Sequence, residues 1–124
     1  DGTYVAYCFH SVDGYSKMGS YKGNGNADGT FIHTGFRPAW VMIKYTGTGE
    51  WYVFDIKRST FNVMDDYLRA ADVGVETVAN DWAAIDVLAN GFKIREDNNH
   101  INTNTGTYIY AAFAETPFKY SNAR

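Results

Sequence analysis

Trp40-Val41-Met42-Ile43-Lys44-Tyr45 and Trp51-Tyr52-Val53-Phe54-Asp55-Ile56, separated by Thr46-Gly47-Thr48-Gly49-Glu50, decide the fold. Each run has the length of a strand and is built of β-branched and aromatic residues, whose side chains fit a pleated, partly buried surface. A five-residue connection containing glycine joins two such runs as a β-hairpin with a longer loop. Upstream, Gly35-Phe36-Arg37-Pro38-Ala39 leads into the hairpin, and residues 30–33 start another strand. Downstream, residues 83–88, the turn Ala89-Asn90-Gly91 and the run Phe92-Lys93-Ile94-Arg95 form a second hairpin, with Asn-Gly as its turn signal.

The pattern extends to both ends. Residues 3–10 read as a first strand, with Tyr4, Ala6, Cys8 and His10 on one face and Val5, Tyr7 and Phe9 on the other. A Gly-rich polar stretch follows, with a short strand around residues 17–22. Residues 73–79 are compatible with a strand, and residues 108–114 form the last one. Residues 59–71 stay open between a short helical turn and an irregular crossover. Phe61, Met64 and Leu68 recur at helix-like spacing behind a cap at Ser59 or Thr60. The expectation is an all-β, antiparallel β-sandwich of eight or nine strands.

Composition agrees. Leucine occurs only at Leu68 and Leu88, while 12 Gly, with many Asn, Asp and Thr, supply the turns of a many-stranded sandwich or barrel. At 124 residues the chain is one domain. A net charge of −3 without a basic run disfavours nucleic acid as a partner. No apolar stretch approaches the ~18 residues of a membrane span, and the N-terminus has no signal-peptide pattern. The chain does not begin with Met, which points to a processed or trimmed fragment. Cys8 stands alone, so no internal disulfide forms, and its place inside an apolar run predicts a buried, inert thiol.

The two ends resemble each other. Gly2-Thr3-Tyr4-Val5-Ala6-Tyr7-Cys8-Phe9-His10 shares Gly, Thr, Tyr and Phe, in the same places, with Gly106-Thr107-Tyr108-Ile109-Tyr110-Ala111-Ala112-Phe113-Ala114. Such self-similarity a full domain apart is expected of tandem modules, with the chain starting on one module's boundary strand. The short polar tail then makes this the last module.

Three strings carry a resemblance to a known group: Tyr7-Cys8-Phe9-His10-Ser11-Val12-Asp13-Gly14-Tyr15-Ser16-Lys17, Gly35-Phe36-Arg37-Pro38-Ala39-Trp40-Val41-Met42-Ile43-Lys44, and the C-terminal run from Tyr108 through Phe113-Ala114-Glu115-Thr116-Pro117-Phe118-Lys119-Tyr120 to Arg124. Together they make most of the chain resemble a domain of bacteriophage tail-fibre and other virion-surface proteins. The resemblance implies a concanavalin-like or jelly-roll sandwich and a place on the virion, outside the cell. It carries over no catalytic residue.

The residues themselves do not spell an enzyme. His10, His33 and His100 lie in no nucleophile signature, and the scattered carboxylates, among them Asp55, Asp65, Asp66 and Glu115, form no recognisable glycosidase pair. Glu96-Asp97-Asn98-Asn99-His100 and Asn24-Gly25-Asn26-Ala27-Asp28 are the richest oxygen sources for calcium. Neither matches a defined loop, so calcium is a candidate cofactor without an assigned metal site. Trp40, Tyr52, Phe54 and Phe92 are assigned to packing. Tyr15, Tyr21, Trp51 and Trp82 border polar loops and are the candidate ligand-binding residues, since sugar rings stack on exposed aromatic faces. Arg37, Arg58, Arg69 and Arg95 offer either anionic-glycan contacts or ion pairs with Asp. The expected partners are copies of the chain, neighbouring modules of the parent protein and bacterial surface glycans. The function read from these features is structural, adhesive or both.

Overall fold

The computed structural model describes residues 2–70, 76 and 82–117. The decisive hairpin forms from Pro38–Tyr45 (β3) and Trp51–Asp55 (β4), paired antiparallel with Val41 opposite Phe54 and Ile43 opposite Tyr52. We number the other strands in chain order: Ser16–Lys22 (β1), Phe31–His33 (β2), Leu68–Arg69 (β5), Ile85–Leu88 (β6), Gly91–Ile94 (β7) and Thr107–Ala114 (β8). They build a five-stranded sheet in the order β1-β8-β3-β4-β5 and a three-stranded sheet in the order β2-β7-β6. Every pairing is antiparallel. The protein is an all-β sandwich with eight strands among the described residues.

Alternation along the strands sends one set of side chains into the space between the sheets. From the larger sheet come Tyr21, Val41, Ile43, Tyr52, Phe54, Tyr108, Tyr110 and Ala112, and from the smaller Ile32, Ile85, Val87, Phe92 and Ile94, all buried in one cluster. Phe92 and Tyr110 meet edge to face across the gap with ring centroids 5.4 Å apart. Close backbone approach fixes some positions as glycine. A Cβ on Gly91 would lie 2.1 Å from the Ile32 carbonyl oxygen of the neighbouring strand.

Residues 59–71 hold no helix where they are described. Met64 instead makes an isolated antiparallel bridge with Ile85, exchanging backbone bonds of 2.8 and 3.1 Å, and buries its side chain. The crossover therefore takes the irregular form, because satisfying its backbone against the smaller sheet competes with a helical turn. The strand reading of residues 73–79 falls, apart from Glu76, outside the described residues.

Two expectations are overturned at the N-terminus. Residues 3–10 are not a strand: they find no ladder partner, and Tyr4, Tyr7 and Phe9 are 90%, 83% and 63% exposed. Cys8, expected to be buried, is exposed with them. The period-two pattern is present, but no strand of the described structure pairs with it.

The polar loops are stitched together by Asn102, which is wholly buried. Its amide group donates to Asn24 Oδ1 (3.0 Å), the Asn26 carbonyl (2.8 Å) and the Glu96 carbonyl (2.6 Å), while its own Oδ1 accepts from the Asn24 N–H (2.9 Å). One side chain thereby closes the 24–28 loop onto the loop before β8.

Candidate functional site

In a sandwich exposed to water the outer face of each sheet is ordinarily polar. Here the outer face of the five-stranded sheet is not. Met18, Ala111, Met42, Val53 and Leu68 stand opposite one another in register, one from each strand, and form an unbroken apolar row across the sheet. The rows on either side add Phe113 beside Trp40 and Trp51 beside Lys44, with Ile109 next to Lys44. The N-terminal segment runs over this face. Phe9 and Tyr15 both meet the ring of Phe113 edge to face, at 6.1 and 5.9 Å between centroids, and Trp40 meets it at 5.6 Å. Between segment and sheet lies a groove of about 680 Å³, lined among others by Tyr7, Phe9, Trp40, Met42, Trp51 and Ile109.

The four aromatic candidates are not brought together. Trp51 is half-buried in this groove and Tyr15 lies at its rim on Phe113. Tyr21 is a correction: it is 6% exposed, stacks on Tyr108 at 5.0 Å and donates its hydroxyl to the Ile101 carbonyl at 2.7 Å. Burial pushes its phenol pKa well above the ordinary value, with Tyr108 adding to the shift. Although Tyr21 borders a Gly-rich loop, its place in β1 opposite Tyr108 turns it inward. Trp82 is 51% exposed and stacks almost parallel on the His100 ring, 5.5 Å away.

His100 in turn shares a 2.7 Å hydrogen bond between Nδ1 and the Tyr52 hydroxyl. Burial, then Tyr67 and Glu50, push the Tyr52 phenol pKa up to about 12. A smaller cleft of about 250 Å³ opens here, lined by Tyr45, Glu50, Tyr52, Asn99 and His100. Tyr52, Phe54 and Phe92 are buried as assigned. Trp40, also assigned to packing, points the other way, into the outer groove. Sequence parity could not place it, because β3 is apolar on both faces.

Several oxygens of the oxygen-rich loops are spent internally. Asn24 and Asn26 accept from the backbone N–H groups of Asn26 (3.1 Å) and Asp28 (2.8 Å), as turn residues do. The Asp28 carboxylate pairs with Lys93, whose hydrogen bond and charge hold its pKa below the ordinary value. Asn98 accepts from the His100 N–H at 3.0 Å. Among the described residues, no three His, Cys, Asp or Glu side chains converge as a metal site. Arg37, Arg58 and Arg95 form ion pairs: Arg37 with Glu115 at 2.8 Å, Arg95 with Asp86 at 3.4 Å, and Arg58 with Asp55 and Glu76. Asp55 also caps its turn, accepting from the N–H groups of Lys57 (3.0 Å) and Arg58 (2.9 Å).

Fold and surface together define an antiparallel β-sandwich domain with one apolar, aromatic outer face. By sequence the chain belongs to the DUF7483 family, a domain of unknown function, whose pattern matches residues 1–117. No curated protein and no solved structure matches the chain significantly.

Proposed function

We propose that the protein is a non-catalytic structural module of a virion surface appendage, such as a bacteriophage tail fibre, and that it assembles through the outer face of its five-stranded sheet. The observation that carries the reading is the apolar row from Met18 to Leu68 with the aromatic groove beside it. Val53 and Ala111 are covered in this row, but Leu68 and Ile109 are exposed and Met18, Met42, Trp40 and Trp51 partly so, and contiguous apolar surface left in water marks interaction surfaces. Surface chemistry favours a protein partner. The groove lining offers a sugar's hydroxyls few polar partners, whereas an apolar protein surface gains ~25 cal/mol for every Å² covered. The virion setting is supported by the likeness of residues 7–17, 35–44 and 108–124 to virion-surface domains.

A second reading, attachment to a bacterial surface glycan, draws on the smaller cleft. Trp82 offers half of its ring to solvent beside the cleft of Glu50, Asn99 and His100. Light scattering on the chain, followed by a bacterial glycan array on the same sample, separates the two. Self-association abolished by Met42→Lys, with no glycan bound, supports the structural module. A monomer that binds a glycan and loses it on Trp82→Ala overturns that reading in favour of attachment.

A further inference from the structure

We infer that Gly2 to His10 is the last strand of a preceding module of the same fold, and that the outer faces of the two modules' large sheets pack on each other. The inference rests on the reading of the outer face as an assembly surface and names its occupant.

The first support is the likeness between this segment and β8. β8 lies inside the sheet, with β1 on one side and β3 on the other, and directs Tyr108, Tyr110 and Ala112 into the core. The corresponding residues of the segment are Tyr4, Ala6 and Cys8. A run with the sequence of a central strand has no place in the structure described here, since β8 already fills that position.

The second support is which residues touch the sheet. In β8 register Tyr7 and Phe9 correspond to Ala111 and Phe113, which belong to the outer face. Tyr7 and Phe9 are also the two residues of the segment that line the outer groove. On the opposite side Tyr4, 90% exposed, and Cys8 are left open, while on the groove side Phe9 meets Phe113 and Tyr7, 83% exposed, is only partly covered. A preceding sheet containing this strand would cover Tyr4 and Cys8 with its own core and would lay its outer face against the row from Met18 to Leu68. A second copy docked on the groove alone would leave Tyr4 and Cys8 in water, so the preceding module accounts for more of the surface.

The third support is the connection. Ser16 Oγ donates to the His10 carbonyl (2.9 Å), the Met18 N–H donates to Ser11 Oγ (2.9 Å), and Val12 and Ser16 exchange backbone bonds of 3.0 and 2.9 Å. This short, bonded turn launches the segment in a fixed direction and holds any sheet that contains it close to this one.

Cys8 reports on the idea, because it corresponds to Ala112, which is wholly buried. Residues 11–105 of one copy are joined to residues 2–124 of a second, so that Gly2 to His10 stands where the first copy's β8 would be and Cys8 is still the single thiol. Ala6 corresponds to the buried Tyr110, and a companion chain carrying Ala6→Tyr refills that space. In one or both, Cys8 is expected to react with an aromatic disulfide reagent at least ~100-fold more slowly than in the chain alone, as a thiol inside a cooperative core does. Reaction in both at the rate of the chain alone overturns the inference, and so does a chain that by itself forms an oligomer with Cys8 protected. Free Cys8 in both joined chains, beside self-association lost on Met42→Lys, would sink this inference alone and leave the assembly reading standing.

Discussion

Asn102 shows how much one side chain can hold. The side chain is wholly buried, and its amide faces three acceptors and its carbonyl one donor. In Asn102→Asp the nitrogen becomes an oxygen among oxygens, which replaces attraction with repulsion around a wholly buried side chain. Buried polar groups left unsatisfied cost about 1–3 kcal/mol each, and more when charged. We expect Asn102→Asp to lower unfolding stability by about 3 kcal/mol or more, read as a shift in the urea midpoint at unchanged slope. A shift below a third of that would show that the loops close without it. By contrast, Trp82→Ala removes a ring that is half in solvent and stacked on His100. Its expected cost is about 1 kcal/mol, measured the same way, so a loss of glycan binding in that variant would not be a loss of fold.

At the level of strands, the paired tyrosines make the sandwich sensitive to alkali. Burial raises the phenol pKa values of Tyr21 and Tyr110, and burial with Tyr67 and Glu50 raises that of Tyr52 to about 12. The folded state therefore holds these protons more tightly than the unfolded chain, whose tyrosines titrate near ~10. The stability tied to them is whole below that pH and is lost as pH rises through the folded values. Tyrosinate absorbance is expected to appear in two phases, the exposed rings first and the buried ones together with loss of the β-sheet circular dichroism signal. Smooth titration of all ten tyrosines near their ordinary pKa, with the sheet intact, would contradict the burial described.

The strands were largely legible in the sequence because hairpins with Gly turns and aromatic runs are local signals, and β1, β3, β4, β6, β7 and β8 fall where those signals lie. What misled was equally local. Period two shows that residues 3–10 suit a strand, but it is blind to whether a neighbouring strand is there to receive them. Tyr21 was misjudged from the polar loop beside it, although its side of β1 faces the core. Trp40 packs, on Phe113, but on the outer face; Val41 and Met42 are both apolar, and alternation cannot tell inside from outside when both faces are greasy. Asn102 gave no signal at all in an Asn-rich loop, since its role depends on partners 76 to 78 residues away. The two-residue β5 is too short to carry a pattern.

For the molecule as a whole, the core is complete without residues 2–10. The core cluster draws on none of them, and their loss removes the hydrogen bond that Ser16 Oγ donates to the His10 carbonyl and the edge contact of Phe9 with Phe113. A chain starting at Ser11 is expected to melt within a few degrees of the full chain, since one such bond is worth about 1 kcal/mol. It should also expose Trp40 and Trp51 more fully, seen as a red shift of tryptophan emission. A cooperative collapse on removing the segment would mean that the core leans on it in a way its exposure does not suggest.

Antiparallel pairing sets Ser16, at the start of β1, opposite Phe113 near the end of β8. The polypeptide thus comes in and goes out at one pole of the sandwich. Tension pulled through both ends would peel the β1–β8 ladder rung by rung, like a zipper, with each rung worth only about 0.5–1.5 kcal/mol, instead of shearing all rungs at once. Such a unit yields to a gentle pull when it lies in the line of force. It keeps its shape when it hangs beside that line, as a pendant on a cable that runs elsewhere.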